Sequence, residues 1–263
     1  MAARSPLVNV MVNAAYKAAK GLIRDFGEVE HLQVSRKGPA DFVSQADLKS
    51  EQILKRELTK ARPDYGLLLE EGGGTAGKDV SNRWVVDPLD GTLNFLHGIP
   101  HFAISIGVER DGEPYAGVIY NPINDELYWS EKGQGSHLND RRLRVSARKK
   151  MEESLIGTGA PFLGHGDHPG FIKRAEAVIG KTAGLRRLGA AALDLAYVAS
   201  GRLDGFWEEP LNPWDICAGV VLVREAGGYV SEISGGNGMM SSGSVLAAND
   251  QLHRPLGDLL RSV

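Results

Sequence analysis

The sequence has little cysteine, no long apolar run and no excess of charge. Its 263 residues include one cysteine, Cys217, which excludes an internal disulfide framework and favours a reducing compartment. No apolar run approaches the roughly 18–20 residues that a membrane-spanning helix needs, and the N-terminal residues show no signal-peptide pattern. A net charge of -3 excludes binding to nucleic acid through overall charge. We therefore expect a soluble cytoplasmic protein without a membrane partner.

Helices and strands are predicted along the whole chain. Helical spacing of apolar residues predicts helices over about 5–27 and 44–62, and antiparallel strands are predicted between Phe102 and Lys132. Further strands and helices alternate at 155–158, 168–181, 185–188, 190–200, 206–207, 213–226, 229–231, 245–248 and 250–261. No composition marks a linker or a repeat, so we expect one domain over 1–263. It would have an N-terminal lobe of about 1–150 and a C-terminal lobe of about 151–263.

The segment WVVDPLDGTLNF, residues 84–95, is the most informative part of the chain. A β-prone run leads two carboxylates, Asp87 and Asp90, into a turn that contains proline and glycine. Carboxylate oxygens are the ligands that Mg²⁺ prefers, and a turn at a strand end lets neighbouring acids converge. A structural interpretation is equally open, in which the strand ends in a turn and Asp90 is the N-cap of a helix. The segment alone does not decide between them.

Three further acids are predicted at the ends of elements: Asp47, Glu70 and Asp215. Each has a structural interpretation of its own. Asp47 would close a capping box with Ser44, and Asp215 would lie in the first turn of a helix whose N-cap is Asn212. Taken together, clustered carboxylates would raise one another's pKa unless cations lay among them. Thr92 follows Asp90 where a helix would begin, and the free amides of a helix N-terminus bind phosphate. Acids beside such amides suit a phosphate ester with Mg²⁺, which needs no covalent nucleophile.

These residues carry a resemblance to a known family. Residues 84–95 match W-x-x-D-P-x-D-G-T-x-N-F of the inositol monophosphatase family, and 214–228 match its W-D-x-x-A-G…E-A-G-G. The chain resembles most closely the bacterial extragenic-suppressor branch, over about residues 8–253. The resemblance implies an α/β (α+β) fold, a layered αβαβα sandwich of the inositol monophosphatase and fructose-1,6-bisphosphatase type. It also implies two or three Mg²⁺ ions, sensitivity to Li⁺ and a homodimer.

The resemblance also implies a role for individual residues. The metal ligands would be Glu70, Asp87, the Leu89 carbonyl, Asp90 and Asp215. The catalytic group would be Asp47 and Thr92, which orient and deprotonate the attacking water, with Glu70 facing a third metal site. The substrate would contact Asp90, Gly91, Thr92, Gly189, Ala191, Glu208 and Asp215.

The chain departs from the family pattern near the acids. Gly72 replaces a common serine, and the segment Gly72–Gly77 is expected to be a plain loop or a mobile flap. A lysine of the family near the site has two candidates here, Arg36 and Lys37, and the sequence does not choose between them.

Other phosphatase chemistries fit poorly. Cys217 and Arg224 are separated by six residues instead of the five of a phosphocysteine loop, and Asp87 and Asp90 are too far apart for D-x-D. The run GHGDH at 164–168 is expected to be a polar loop more than a metal cluster. His97 and His101 are expected to be structural.

The function expected from these observations is hydrolysis of a small polyol phosphate, with myo-inositol 1-phosphate as the leading substrate. Fructose 1,6-bisphosphate, NADP and histidinol phosphate stay open as alternatives. A rival of another class is a regulatory protein that binds the transcription machinery. The basic residues for such a role would be Arg141, Arg142, Arg144, Arg148, Lys149 and Lys150, although a solvated face is the simpler interpretation.

Overall fold

The computed structural model describes residues 4–28, 34–38 and 41–263. Its helices are α1 Pro6–Phe26, α2 Gln45–Ala61, α3 Thr92–Leu96, α4 His168–Ile179, α5 Ala191–Ala199, α6 Pro213–Glu225, α7 Met239–Ser242 and α8 His253–Arg261. Its strands up to residue 142 are β1 Val34–Gly38, β2 Asp41–Ser44, β3 Tyr65–Leu69, β4 Gly73–Thr75, β5 Asp79–Asp90, β6 Ala103–Arg110, β7 Glu113–Asn121, β8 Glu126–Glu131, β9 Gly135–Leu138 and β10 Arg141–Arg142. The later strands are β11 Leu155–Thr158, β12 Gly184–Arg186, β13 Gly205–Glu208, β14 Tyr229–Ser231 and β15 Val245–Ala248.

Two sheets dominate the fold. An eight-stranded sheet has the order β10-β9-β8-β7-β6-β5-β3-β4, and it is antiparallel except for the pair β3 and β5. A five-stranded sheet has the order β12-β11-β13-β15-β14, in which β11 is parallel to both of its neighbours. The strands β1 and β2 form a separate antiparallel pair.

Helices cover both sheets and fill the space between them. α1 and α2 pack on the outer face of the larger sheet, and α4 and α8 pack on the outer face of the smaller one. α5 and α6 lie between the sheets and contact strands of both. The layers therefore alternate α, β, α, β, α, which confirms the sandwich implied by the resemblance. The division into two lobes stays a prediction.

The central helix α6 is apolar on all sides because it is covered on all sides. Every residue from Ile216 to Val223 is buried, as expected for a helix between two sheets. Glycines of the larger sheet let it approach closely: a Cβ on Gly117 would lie 2.5 Å from the Ala218 carbonyl oxygen. The Ser105 hydroxyl donates to the Trp214 carbonyl at 3.2 Å. This packing brings the first turn of α6 to the end of β5.

Most predicted elements are confirmed, and two predictions are wrong. Residues 73–75 form the edge strand β4, paired with β3, within the segment that was expected to be a plain loop or a mobile flap. Asp90 is the last residue of β5, and Gly91 is the N-cap of α3. The strands β9 and β10 and the short helix α7 were not predicted. Within the described ranges, no helix is long and apolar enough to cross a membrane.

Candidate active site

The strand β5 delivers the two central acids. Its residues from Trp84 to Val86 are fully buried, and this apolar anchor fixes the position of Asp87 and Asp90 at the strand's end. The register with β6 shifts between the two acids, so the chain bulges at Pro88 and Leu89. The Leu89 amide donates to Asp87 Oδ1 at 2.8 Å and holds that carboxylate in place.

Glycine is required where β5 turns into α3. Gly91 has a φ of 89°, a left-handed conformation that side chains disfavour. A Cβ there would lie 3.0 Å from the His101 carbonyl oxygen and 3.3 Å from that of Gly189. The turn therefore brings α3 into close contact with the segment before α5.

The half-buried Thr92 and the buried Asp47 form a hydrogen-bonded pair. Thr92 Oγ1 lies 2.9 Å from Asp47 Oδ1 and 3.0 Å from the Leu89 carbonyl oxygen. The predicted capping box is confirmed, since Asp47 Oδ2 accepts from the Ser44 amide at 2.9 Å. Burial raises the pKa of Asp47, and the hydrogen bonds from Ser44 and Thr92 oppose that shift. The carboxylate is thus held rigidly, with one oxygen on the helix cap and the other on the threonine.

The N-terminus of α5 meets the same acids. The Ala192 amide donates to Asp90 Oδ2 at 2.8 Å. Asn94 bridges the two segments, because its Nδ2 lies 2.8 Å from the His101 carbonyl oxygen and 2.9 Å from that of Leu188. These contacts place Gly189 and Ala191 beside the turn that carries Asp90.

Asp215 completes the carboxylate cluster from the first turn of α6. The predicted cap is confirmed: Asn212 is the N-cap, and its amide donates to Asp215 Oδ2 at 2.7 Å. Burial raises the pKa of Asp215, and the charges of Asp90 and Glu70 raise it further. The same neighbours act on Asp87, whose pKa is raised well above its ordinary value by burial and then by Glu70, Asp90 and Asp215. Burial, with a contribution from Glu208 and Glu70, raises the pKa of Asp90 to about 7.

The donor set fits a hard divalent cation. All the converging groups are oxygen atoms, and their mutual effect on pKa shows that they share one electrostatic environment. In the described part of the chain, no three acidic, histidine or cysteine side chains already surround a single point as metal ligands. Repelling carboxylates turn apart, and a bound cation would draw them together.

A cavity of about 540 Å³ opens beside these acids. Glu70, Glu208 and Asp215 line it, and the opposite wall carries Phe162 and His165. Burial, and then the charge of Asp215, raises the pKa of Glu208 to about 8. The volume of the cavity lies in the range of pockets for small organic ligands.

Glycine makes room for Glu208. A Cβ on Gly159 would fall 1.7 Å from Glu208 Oε1, so a side chain at this position would displace the Glu208 carboxylate. The acid thereby lies against backbone on one side and faces the cavity on the other.

The structure brings together every predicted site residue whose side chain it describes. Arg36 and Lys37 lie on β1, and their side chains are outside the described residues. Cys217 is buried, and burial raises the pKa of its thiol, as expected for an unreactive core cysteine. His101 packs edge-on against Tyr197, which agrees with a structural role.

Sequence analysis missed several residues of the site. Asn94 lies inside the first motif but was given no role, and its position as the one amide side chain in an otherwise apolar helical turn was the available signal. Phe162 and His165 form a stacked pair on the cavity wall, and of the two only His165 lies in the run 164–168 that was expected to be a polar loop. Asp167 in the same run caps α4 through the Gly170 amide.

The fold and the site define a class of protein: an α/β sandwich enzyme with clustered carboxylates at the end of a buried strand. A family model described as "Inositol monophosphatase family" matches residues 3–262. The chain therefore belongs to the inositol monophosphatase family, and it is a phosphatase. This family is generally metal-dependent.

Individual relatives cover almost the whole chain. The chain is 59% identical over 254 residues to a protein of Mesorhizobium japonicum named inositol-1-monophosphatase, across 97% of this chain and 96% of that one. It is 40% identical over 247 residues to the Nus factor SuhB of Escherichia coli, across 94% and 92%. A crystal structure of extragenic suppressor protein suhB from Bartonella henselae superimposes with a TM-score of 0.95 at 53% identity, covering 98% of this chain and 99% of that one.

Proposed function

We propose that the protein hydrolyses the phosphate monoester of a small polyol, with myo-inositol 1-phosphate as its first substrate, and that it needs Mg²⁺. The observation that carries the proposal is the Thr92–Asp47 hydrogen bond, placed beside a cluster of carboxylates at the start of α3. The relative named inositol-1-monophosphatase, at 59% identity, supports the choice of substrate.

The ligands for two or three Mg²⁺ ions are Glu70, Asp87, the Leu89 carbonyl, Asp90 and Asp215. Backbone amides already orient Asp87, Asp90 and Asp215 through one oxygen each. When bound, the ions supply positive charge that polarises the phosphoryl group and lowers the pKa of the attacking water.

Asp47 and Thr92 act on the attacking water. The Thr92 hydroxyl donates its hydrogen to Asp47. The lone pairs of Thr92 Oγ1 are therefore free to accept a proton from the attacking water. Asp47 then receives the proton through this bond as the water attacks phosphorus. The Ser44 amide and hydroxyl keep the carboxylate from turning away.

The remaining residues hold the substrate. The Gly91 and Thr92 amides face the phosphate, and Gly189 and Ala191 lie beside the sugar-like ring. Glu208 accepts hydrogen bonds from ring hydroxyls, because it lines the cavity. Its raised pKa lets it keep a proton and donate as well near neutral pH.

A phosphatase panel tests the substrate and the metal together. Purified protein is assayed with and without Mg²⁺ on myo-inositol 1-phosphate, fructose 1,6-bisphosphate, NADP and histidinol phosphate. We expect Mg²⁺-dependent phosphate release, highest with myo-inositol 1-phosphate. A higher kcat/KM on one of the other three esters would make that ester the substrate. Equal activity with Mg²⁺ and with chelator would show that the reaction needs no metal.

A second function, binding to the transcription machinery, is favoured by the name Nus factor SuhB of the Escherichia coli relative. The basic residues at 141–150 are all exposed, and Arg148 is bound to buried Asp204 at 3.1 Å. We infer that the exposed Arg144 and Lys149 would contact such a partner. Replacing both with serine should abolish co-purification of RNA polymerase components and leave phosphatase activity unchanged.

We also propose that the protein is a homodimer, which light scattering would test.

A further inference from the structure

Glu51 on α2 holds the backbone of the segment that follows Glu70. Its side chain is buried, with 8% of the residue exposed, and its Oε2 accepts a hydrogen bond from the Glu71 amide at 2.8 Å. A bond from an amide to a carboxylate is charge-assisted and stronger than one between neutral groups. The bond joins a helix in the outer layer to the residue next to a proposed metal ligand.

Gly72 supports the same contact from the other side. A Cβ on Gly72 would lie 2.9 Å from Glu51 Oε1 and 3.3 Å from Leu69 Cδ1. The backbone of Gly72 is not in the left-handed region, so its conformation alone does not demand glycine. The missing side chain at this position is therefore explained by the Glu51 carboxylate, which occupies the space.

The preceding residue of α2 is tied to the other side of the site. The Ser50 hydroxyl donates to the Pro88 carbonyl oxygen at 2.9 Å, in the bulge between Asp87 and Asp90. Adjacent residues of one helix thus hold the end of β5 and the segment after β3. Because a helix turn is rigid, this arrangement fixes the distance between Glu70 and the pair Asp87 and Asp90.

We propose that Glu51 is a positioning residue, which holds the Glu70–Glu71 segment against α2 and thereby sets the affinity of the site for its cation. This inference rests on the proposed role of Glu70 as a metal ligand. Groups that orient metal ligands from outside usually change metal affinity about 10–100-fold when they are removed.

The first test compares two glutamates of the same helix. Glu51→Ala should weaken binding of Mn²⁺, used as a paramagnetic probe of the Mg²⁺ site, about tenfold in a titration followed by electron paramagnetic resonance. At saturating Mg²⁺, kcat should stay within about twofold of wild type, because no reacting group is removed. Glu57→Ala is the matched control: Glu57 pairs with Lys17 on the protein surface and should leave Mn²⁺ affinity unchanged.

A metal-free readout separates positioning from general stability. In chelator, hydrogen exchange at the Glu71 amide should speed up about tenfold in Glu51→Ala, since its acceptor is gone. Amides in the middle of α2 should keep their exchange rates. Glu51→Gln retains one acceptor oxygen and should restore most of the protection at Glu71.

Gly72→Ala tests the contact even if Glu51→Ala folds poorly, and a double-mutant cycle extends the test where both variants fold. Gly72→Ala alone should also weaken Mn²⁺ binding, because the new methyl displaces the carboxylate. In the Glu51→Ala background the same substitution should add almost nothing, and this non-additivity identifies a direct contact. Unchanged Mn²⁺ affinity and unchanged exchange at Glu71 in both single variants would overturn the inference.

The proposed function can fail separately from this inference. If Asp87→Asn keeps normal activity and Mn²⁺ binding, the metal site itself is wrongly placed. If Asp87→Asn loses both while Glu51→Ala and Gly72→Ala behave as wild type, only the positioning role is wrong.

Discussion

The two sides of the site are built differently. On one side, Asp87, Asp90 and Asp215 end a buried strand or begin a helix, and each accepts a backbone amide. On the other side, Glu70 leads into the exposed edge strand β4, in which two of the three residues are glycine. We infer that the side with Asp87, Asp90 and Asp215 is a fixed side, which would hold the cations. The side with Glu70 is then an adjustable side, which would tune the affinity for them. Substitutions on each side should therefore have different consequences.

The largest effect is expected on the fixed side. Asp87→Asn should lower kcat more than about a hundredfold, since even groups outside the ligand sphere change metal affinity by 10–100-fold. The fold should survive, because a neutral amide avoids both the burial of a charge and the repulsion that raise the pKa of Asp87. The stabilisation of the protein by Mg²⁺ in a thermal melt should disappear. Activity near the wild-type level would show that the fixed side is not the metal site.

Thr92 should have the next largest effect. Thr92→Ala removes the hydroxyl that lies 2.9 Å from Asp47 but keeps the backbone amides, so kcat should fall about a hundredfold with little change in KM. Thr92→Ser keeps the hydroxyl and serves as the control. An increase in KM alone would assign Thr92 to binding instead of catalysis.

The adjustable side should respond more mildly. Glu70→Gln should lower activity about tenfold at low Mg²⁺, as expected for a weakened ligand. Raising the Mg²⁺ concentration should recover most of it, whereas the same treatment should not rescue Asp87→Asn. Equal losses in both variants, neither of them recovered by Mg²⁺, would remove the contrast between the two sides.

The smallest expected effect is a pH dependence of the metal-free protein. Folded-state pKa values of about 7 for Asp90 and about 8 for Glu208 exceed those of unfolded acids, about 4. Between pH 7 and 9 the native state therefore binds more protons than the unfolded state, so the free energy of unfolding should fall as pH rises. The buried histidines do not oppose this trend, since their lowered pKa values leave them neutral in that range.

Urea unfolding in chelator measures this slope, and Mg²⁺ should remove most of it by neutralising the cluster. Glu208→Gln should remove part of the slope even without metal. Stability that rises with pH in chelator would contradict the electrostatic description of the cluster.

Local patterns in the sequence predicted most of the fold. The helical spacing at 5–27 and the antiparallel strands between Phe102 and Lys132 depend mainly on neighbouring residues, and both are present. Strand β4 was missed because Gly73 and Gly74 have no β propensity, and only pairing with β3 makes them a strand. Residue spacing thus predicts elements that fold by local preference and misses those that need a distant partner.

The same distinction holds within the site. The motifs identified the acids, and amides two or three residues away orient Asp47, Asp87 and Asp215. Other contacts of the site come from far along the chain. Asn94 reaches Leu188, and Asp90 is held by Ala192 across about a hundred residues. The local spacing of residues predicts neither contact, so both could be found only in the structure.

The stereochemistry of one turnover tests the central claim most directly, which is that water attacks phosphorus without a phosphoenzyme. The substrate is a phosphorothioate ester of inositol, chiral at phosphorus through oxygen isotopes, and the product is isolated from labelled water. Because Asp47 and Thr92 are placed to activate water and no cysteine or D-x-D pair serves as nucleophile, we expect inversion at phosphorus. Retention would mean two displacements through an enzyme-bound phosphoryl group and would contradict the proposed mechanism.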